Sequence, residues 1–185
     1  VAKAQKCPIS ILEKLSKDKD EWIRISVVEN KNCPIHILEN LSEDIYFHVR
    51  SAVAEKCPLY ILEKLSNDKC SDVRYSVINN KNCTNDILEK FIYDKNIDVK
   101  SHLASRHNCP VYILEKLSND KHFNVIESLV RNINCPISIL EKFYNYDSNL
   151  IKENIASHPN CPFHILKKLA DNDYYIKFCT KNPNW

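Results

Sequence analysis

Cysteine is the residue of this chain whose type and spacing most suggest chemistry. Seven of the nine cysteines recur at steps of 24 or 26 residues. Thiolates at such regular intervals could bind a row of metal ions or form a redox ladder. However, the count is odd and no Cys-x-x-Cys pair occurs, so the usual patterns of zinc sites and disulfide frameworks are missing. The recurring residues are Cys7, Cys33, Cys57, Cys83, Cys109, Cys135 and Cys161.

The fixed spacing itself predicts stacked structural repeats that begin at these seven cysteines. Helices in contact lie about 8–10 Å apart, whereas a disulfide requires Cα atoms within about 7 Å. Equivalent cysteines of adjacent repeats are therefore too far apart to bond or to share a metal ion. We predict free thiols, no metal, no cofactor and a reducing, cytoplasmic location. Cys70 and Cys179 fall outside the column, and Cys70, in a turn, is predicted to be the most exposed thiol.

Two short amphipathic segments recur in each repeat and must position any functional residue. The first follows Cys-Pro, with the cysteine expected at the N-cap and the proline in the first helical position. Its apolar face is exemplified by Ile9, Leu12 and Leu15. A turn containing Asp follows, and the second segment carries an apolar i, i+4 pair. We predict an all-α solenoid of about seven two-helix repeats of 24–26 residues. It forms a single array over residues 1–185, with partial repeats at both ends.

The composition is that of an ordinary soluble protein, with 44% apolar and 27% charged residues and a net charge of +2. This balance does not indicate a nucleic-acid or membrane partner, and no apolar run is long enough to span a bilayer. Glycine is absent, which excludes Gly-rich phosphate loops. Its absence also leaves the left-handed cap at helix C-termini to asparagine, and the candidates are Asn30, Asn80 and Asn132.

The repeat resembles that of the leucine-rich repeat variant (LRV) family, which reads roughly Val-Arg-x-x-Val-Ala-x-Asn-Pro-Asn-Thr-Pro-x3-Leu-x2-Leu-Ala-x-Asp. Residues 151–162 (IKENIASHPNCP), followed by Leu166 and Leu169, match this phrase, and residues 49–54 (VRSAVA) match its start. The resemblance covers the whole chain. It implies a right-handed superhelical solenoid of paired short helices, one α and the other α or 3₁₀, in an interaction module without common enzymatic activity. One member type carries an iron–sulfur cluster on cysteines ahead of its repeats. That cluster is not carried over, because no segment here matches it.

A column of basic residues occupies one position of the second segment and breaks at Ile126. It could form a stripe that binds phosphates. Alternatively, each cation could pair with the turn aspartate of its own or a neighbouring repeat, as in the HEAT-like arrays that the pattern resembles. The five turn aspartates and the balanced net charge favour this structural role. The column consists of Arg24, Arg50, Arg74, Lys100, Lys152 and Lys177.

Aromatic residues in or beside the second segment are the candidates for a partner-binding surface, because aromatics are enriched in interface hot spots. Packing between unequal repeats is the alternative explanation. Repeats five and six depart most from the common pattern, so we expect the stretch from Asp120 to Leu150 to bend or to bind. The candidate partner-binding residues are Trp22, Tyr46, Phe47, Tyr75, Phe123, Ile126 and Tyr144.

No arrangement of residues indicates catalysis. The seven histidines include no His-x3-His pair with acidic support, and no Ser-His-Asp or Cys-His pairing follows from the spacing. We therefore predict a non-enzymatic scaffold that binds another protein through an extended face. The alternatives are a nucleic-acid-binding array that uses the basic column, and an architectural spacer in a larger assembly.

Overall fold

The computed structural model describes Ala2 and residues 7–185. Every regular element in this part of the chain is helical, and helices alternate between a first and a second helix in each repeat. The first helices are α1 (Ile9–Leu15), α3 (Ile35–Leu41), α5 (Leu59–Leu65), α7 (Asn85–Lys90), α9 (Val111–Leu117), α11 (Ile137–Phe143) and α13 (Phe163–Ala170). The second helices are α2 (Glu21–Glu29), α4 (Phe47–Ala54), α6 (Ser71–Asn79), α8 (Ile97–Ser105), α10 (Phe123–Arg131), α12 (Asn149–Ser157) and α14 (Asp173–Cys179).

Most first helices begin one residue later than predicted. Pro8 has an extended backbone, with φ −60° and ψ 144°, and is the N-cap of α1 rather than its first residue. Its carbonyl accepts the first helical hydrogen bond, from the N–H of Leu12 at 3.1 Å. Cys7 therefore precedes the cap, and its thiol lies 3.8 Å from the Pro8 carbonyl oxygen. A residue before proline is driven to extended geometry, so Cys7 cannot be part of the helix.

Several second helices begin at a polar side chain that caps free backbone N–H groups. Asp20 accepts a hydrogen bond from the N–H of Trp22, and Asn96 accepts from the N–H groups of Asp98 and Val99. Such caps satisfy donors that have no partner within the helix. Buried i, i+4 pairs such as Val73 and Val77 follow, as predicted from the sequence. The second helix is thus fixed at its start by a cap and along its length by an apolar stripe.

The chain divides into two compact units, residues 1–90 and 91–185, and the boundary falls within the fourth repeat. In the first unit α2 packs on α4 and α4 on α6. In the second unit α8, α10, α12 and α14 pack in the same serial manner. Within each unit, the first helices α1, α3, α5, α9, α11 and α13 pack against the second helices of their own repeats. Each unit therefore buries its core between helix pairs that are too short to be stable alone.

Both helices of a typical repeat are α-helical. Among the described residues the 3₁₀ conformation is confined to Phe91–Tyr93, which follows the six-residue α7. The fourth repeat, which lacks the Cys-Pro pair and has Thr84 and Asn85 instead, is thus the one with an irregular first helix. The single array over residues 1–185 and the right-handed superhelix remain predictions.

Candidate binding surface

Arginines of the basic column lie between repeats and are buried. Arg24 donates from Nε and Nη2 to the two carboxylate oxygens of Asp44 in the next repeat, at 2.6 and 2.9 Å. Its Nη1 donates to the backbone oxygen of Asp18 in its own turn, at 2.6 Å. Arg50 repeats this geometry with Asp68, at 2.6 and 2.8 Å. Each arginine therefore connects two successive turns with a bidentate, charge-assisted pair.

Burial of these pairs is nearly complete, because the side chains of Arg50 and Asp68 are each only 8% exposed. Burial acts to raise the pKa of Asp68, but hydrogen bonds from Arg50 and the N–H of Cys70 outweigh it and lower the pKa. The hydrogen bond to Asp68 raises the pKa of Arg50. Arg74 is also buried and donates to the backbone oxygen of Asp68 at 2.8 Å. These cations face the protein interior rather than a phosphate backbone.

The column continues in the second unit with Lys100, which forms an ion pair with Asp120. It then changes: Ile126 takes the basic position and is buried, while Tyr146 takes the turn position where Asp120 lies in the preceding repeat. The cation and its carboxylate are therefore replaced together. Lys152, in the equivalent position of α12, is half-buried.

Lys177 does not belong to the basic column. The helix α14 starts after the N-cap Asn172, and the shorter preceding turn shifts the register, so that Ile176 occupies the basic position. The Lys177 ammonium instead lies over the rings of Tyr174 and Phe178, 4.9 and 4.8 Å from their centroids. The fixed sequence spacing placed Lys177 in the column because it did not account for the shortened turn.

Asparagines near the ends of second helices connect repeats by hydrogen bonds and do not provide left-handed caps. Asn80 has φ −66° and ψ 133°, and no described residue has a positive φ. Its side-chain amide donates to the backbone oxygens of Ala54 and Cys57 in the preceding repeat, at 2.7 and 3.1 Å. Its Oδ1 accepts from the N–H of Asn82 at 2.8 Å. Asn30, Asn132 and Asn182 make equivalent contacts.

His158 occupies the asparagine position in the sixth repeat. Its Nδ1 accepts the N–H of Asn160 at 3.1 Å, and its Nε2 lies 2.8 Å from the backbone oxygen of Asn132. This pattern requires a neutral imidazole that carries its proton on Nε2. Burial lowers the pKa of His158, which agrees with the neutral form. The imidazole thus reproduces the accepted hydrogen bond and one of the two donated hydrogen bonds of the asparagine, and has a structural role.

Column cysteines are small buried residues between helices. Seven of the nine free thiols are buried, whereas Cys33 and Cys70 are half-buried. Burial raises the pKa of Cys57, Cys109 and Cys135 to about 12. Such thiols are almost fully protonated at neutral pH and are poor nucleophiles and metal ligands. In the described residues, no three His, Cys, Asp or Glu side chains cluster as metal ligands.

Exposed rings lie on the solvent side of the second helices in the first unit. Trp22 on α2 is 62% exposed and stacks on His48 of α4, with centroids 6.0 Å apart and an interplanar angle of 28°. Tyr75 on α6 is 41% exposed. We call this side of α2, α4 and α6, which carries Trp22, His48 and Tyr75, the aromatic face. It lies opposite the buried positions that hold the basic column and the apolar pairs.

Other predicted binding residues are dispersed. Tyr46 covers a structural ion pair, because the guanidinium of Arg24 lies 5.5 Å from its ring centroid. Phe47 is half-buried, and Phe123 is partly exposed at the start of α10. Tyr144 ends α11, and its hydroxyl accepts from the ammonium of Lys168 at 3.3 Å. Ile126 is 2% exposed, so it cannot contact a partner as the sequence pattern suggested.

Two surface features were missed at the sequence level. The residue two after each column cysteine is usually large, apolar and exposed; Ile9, for example, is 53% exposed although it was assigned to the apolar face. It begins the helix and so lies outside the buried stripe. In the second unit, two of these residues, Ile137 and Phe163, line a groove of about 720 Å³. The other residues that line this groove are Pro136, Pro159, Asn160, Pro162 and Asn184. The second missed feature is that the arginines of the second helices add no charge to the aromatic face, because they are buried.

A solved structure described as "a leucine-rich repeat variant with a novel repetitive protein structural motif" is similar to this chain, with a TM-score of 0.76. The two sequences are 22% identical, and the match covers 95% of this chain and 71% of that one. No family model and no curated protein matches the sequence. The structural match confirms the predicted fold class, an all-α array of helix pairs with the LRV fold. No helix within the described residues is both long and apolar enough to cross a membrane.

Proposed function

We propose that this chain is a non-enzymatic repeat scaffold that binds another protein through the aromatic face. The observation that carries the proposal is the exposure of Trp22, which is 62% accessible beside His48. A large exposed aromatic side chain that is fixed by a neighbouring ring is typical of interface hot spots. The fold supports the proposal, because repeat scaffolds present extended surfaces of this kind.

The nucleic-acid alternative loses its main support. Arg24, Arg50 and Arg74 are each 7% exposed or less, and the first two are paired with carboxylates. A buried cation cannot release the counterions that drive association with a phosphate backbone. Binding of the unmodified chain to duplex DNA at low salt, with an affinity that falls steeply as salt is raised, would restore this alternative.

Affinity capture from a cell lysate followed by quantitative mass spectrometry tests the proposal against that of an architectural spacer. The baits are the unmodified chain, the Trp22→Ala variant and the control variant Tyr93→Ala, whose ring is 82% exposed but lies outside the aromatic face. We expect a protein that the unmodified chain and the control capture and that Trp22→Ala loses by about tenfold or more. Identical capture by all three baits would refute the proposal.

A further inference from the structure

The groove of the second unit lies in an uncharged part of the surface, unlike the equivalent edge of the first unit. Lys31 and Lys81 are exposed two residues before their column cysteines, and the same position before the sixth and seventh repeats holds the exposed Ile133 and Pro159. The loops that carry the lining residues, 132–138, 158–163 and 182–185, contain no Asp, Glu, Lys or Arg. A charged side chain that entered the groove would lose water and find no partner among the lining residues. The charge of the groove therefore matches an uncharged occupant.

An exposed aromatic pair adjoins the groove. Phe163, which lines it, and Trp185 are 55% and 48% exposed, and their ring centroids lie 6.0 Å apart at an interplanar angle of 52°. The indole N–H of Trp185 donates to no residue in the part of the chain that the structure describes. Proline-rich segments dock in grooves that are lined by aromatic rings. Their backbone has no internal hydrogen bonds, so its carbonyl groups can accept from a donor such as this indole.

Asparagine side chains hold the walls of the groove in place. The Nδ2 atom of Asn160 donates to the backbone oxygens of Ile133 and Cys135, at 3.3 and 3.2 Å, and Asn184 makes the same two contacts one repeat later. The Oδ1 atoms of both asparagines accept no hydrogen bond from the described residues, so they are available to a ligand. The groove is thus preformed, and its acceptors suit the N–H groups of an extended backbone.

The spacing of the repeats selects the conformation of the occupant. Ile137 and Phe163 are equivalent residues of successive repeats, and the second helices α12 and α14 of these repeats pack on each other. Packed helices lie about 8–10 Å apart. A polyproline II helix rises about 3.1 Å per residue with three residues per turn, so it returns to the same face after about 9.3 Å. A β-strand returns to the same face after about 6.6 Å, which does not match.

We propose that this groove binds an uncharged, proline-rich segment of another protein in the polyproline II conformation. The inference goes beyond the proposed function, because it assigns a second surface that lies in the second unit and does not include the aromatic face. One proline of the segment contacts Ile137, and the proline three residues away lies against Phe163 and Trp185. The indole N–H donates to a backbone carbonyl of the segment, and Oδ1 of Asn160 accepts from the N–H of a residue other than proline.

Titration calorimetry with synthetic peptides tests the inference. The probe is the twelve-residue peptide (Ala-Pro-Pro)₄, which is uncharged and adopts polyproline II, and the comparison peptide is the flexible, uncharged (Ala-Gly-Ser)₄. We expect the unmodified chain to bind the proline peptide and to bind the flexible peptide at least about tenfold more weakly. The affinity for the proline peptide should change by less than about twofold as salt is raised from about 50 to 300 mM, because no charges pair.

Matched substitutions locate the binding site. Phe163→Ala is compared with Ile35→Ala, which removes an equally exposed residue, also 55%, from the equivalent position in the first unit. Trp185→Phe keeps a ring but loses the N–H, and Trp22→Phe makes the same change outside the groove. We expect about tenfold weaker binding of the proline peptide by Phe163→Ala and about fivefold weaker binding by Trp185→Phe. Both controls should change the affinity by less than about twofold, and far-UV circular dichroism verifies that all four variants fold.

Three results would overturn the inference: no binding of the proline peptide, equal binding of the flexible peptide, or equal weakening in the groove variants and their controls. Sedimentation showing a dimer that Phe163→Ala dissociates would assign the groove to a second copy of the chain and would overturn it as well. The proposed function is tested separately, because lysate capture through the aromatic face depends on Trp22 and not on Phe163.

Discussion

The replacement of a cation and its carboxylate together in repeats five and six yields a specific prediction about stability. The equivalent pair in unit one is Arg50 and Asp68, which correspond to Ile126 and Tyr146. We predict that Arg50→Ile and Asp68→Tyr each destabilise the fold strongly, whereas the double variant is more stable than either single variant. The reason is that each single change leaves one buried charge without its partner.

The magnitude follows from the burial of the pair. Both side chains are 8% exposed, and loss of one partner of a buried pair costs about 3–5 kcal/mol of unfolding free energy. The double variant removes both charges of this pair and so leaves neither of them buried without its partner. It still loses the hydrogen bond from the N–H of Cys70 to Asp68, at 2.8 Å, which stabilises the turn before α6 by about 1 kcal/mol. We expect the double variant to lie within about 2 kcal/mol of the unmodified chain, and the coupling free energy to be at least about 3 kcal/mol.

Urea denaturation followed by far-UV circular dichroism measures these differences. The control is the combination of Arg24→Ile with Asp68→Tyr, because Arg24 pairs with Asp44 and not with Asp68. This mismatched double variant leaves two charges unpaired and should have the lowest urea midpoint of the set. If the free energies of Arg50→Ile and Asp68→Tyr simply add, the ion pair does not hold the two repeats together and the reasoning is wrong.

Three further predictions concern titration and thiol access. Burial lowers the pKa of His158 from 6.5, so the stabilising contribution of its neutral imidazole is present above pH 6.5 and declines as the pH falls below that value. The urea midpoint of the His158→Asn variant should therefore change less between pH 7.5 and 5 than that of the unmodified chain. Equal changes in the two proteins would contradict this prediction. Burial acts to raise the pKa of Asp120, but hydrogen bonds from Lys100 and His122 outweigh this effect and lower the pKa to about 2. The Asp120 carboxylate therefore contributes about 2 kcal/mol to the unfolding free energy above pH 3.8, and this contribution is lost as the pH falls towards 2. The Asp120→Asn variant should be less stable than the unmodified chain by this amount at pH 7 but not at pH 2. In the folded chain a thiol reagent such as DTNB should label Cys70 first and Cys33 more slowly, and the buried thiols only on unfolding. The Cys70→Ser variant should lose the fast phase of labelling. Rapid labelling of more than two thiols would contradict the burial of the other cysteines.

Much of the fold could be predicted from local sequence. The period of 24 or 26 residues, the Cys-Pro helix starts and the i, i+4 apolar pairs such as Val73 and Val77 recur in each repeat, so errors in one repeat are corrected by the others. The errors that remained were of one residue, as at Pro8, or came from a shortened turn, as at Lys177. A periodic pattern fixes element type more firmly than element boundaries.

The binding surface was harder to predict because exposure depends on neighbouring repeats. Aromatic residues such as Trp22 and Tyr46 lie close to helix starts in sequence and both are exposed, yet the ring of Tyr46 also lies against the buried guanidinium of Arg24. Similarly, Ile126 breaks the basic pattern and suggested a binding residue, but it lies in the core. The asparagine contacts, such as that of Asn80 with Ala54, join residues 26 positions apart, and no local pattern specifies them.

By itself, the sequence determined the repeat, the two helices of each unit and the side of each helix that carries apolar residues, because these depend on spacing along one segment. Only the tertiary structure decided which groups the recurring arginines and asparagines contact, since each of them acts on an adjacent repeat. Packing buries the arginines against carboxylates such as Asp44 and Asp68 and thereby removes their charge from the surface. The face around Trp22 therefore carries none of the charge of these arginines.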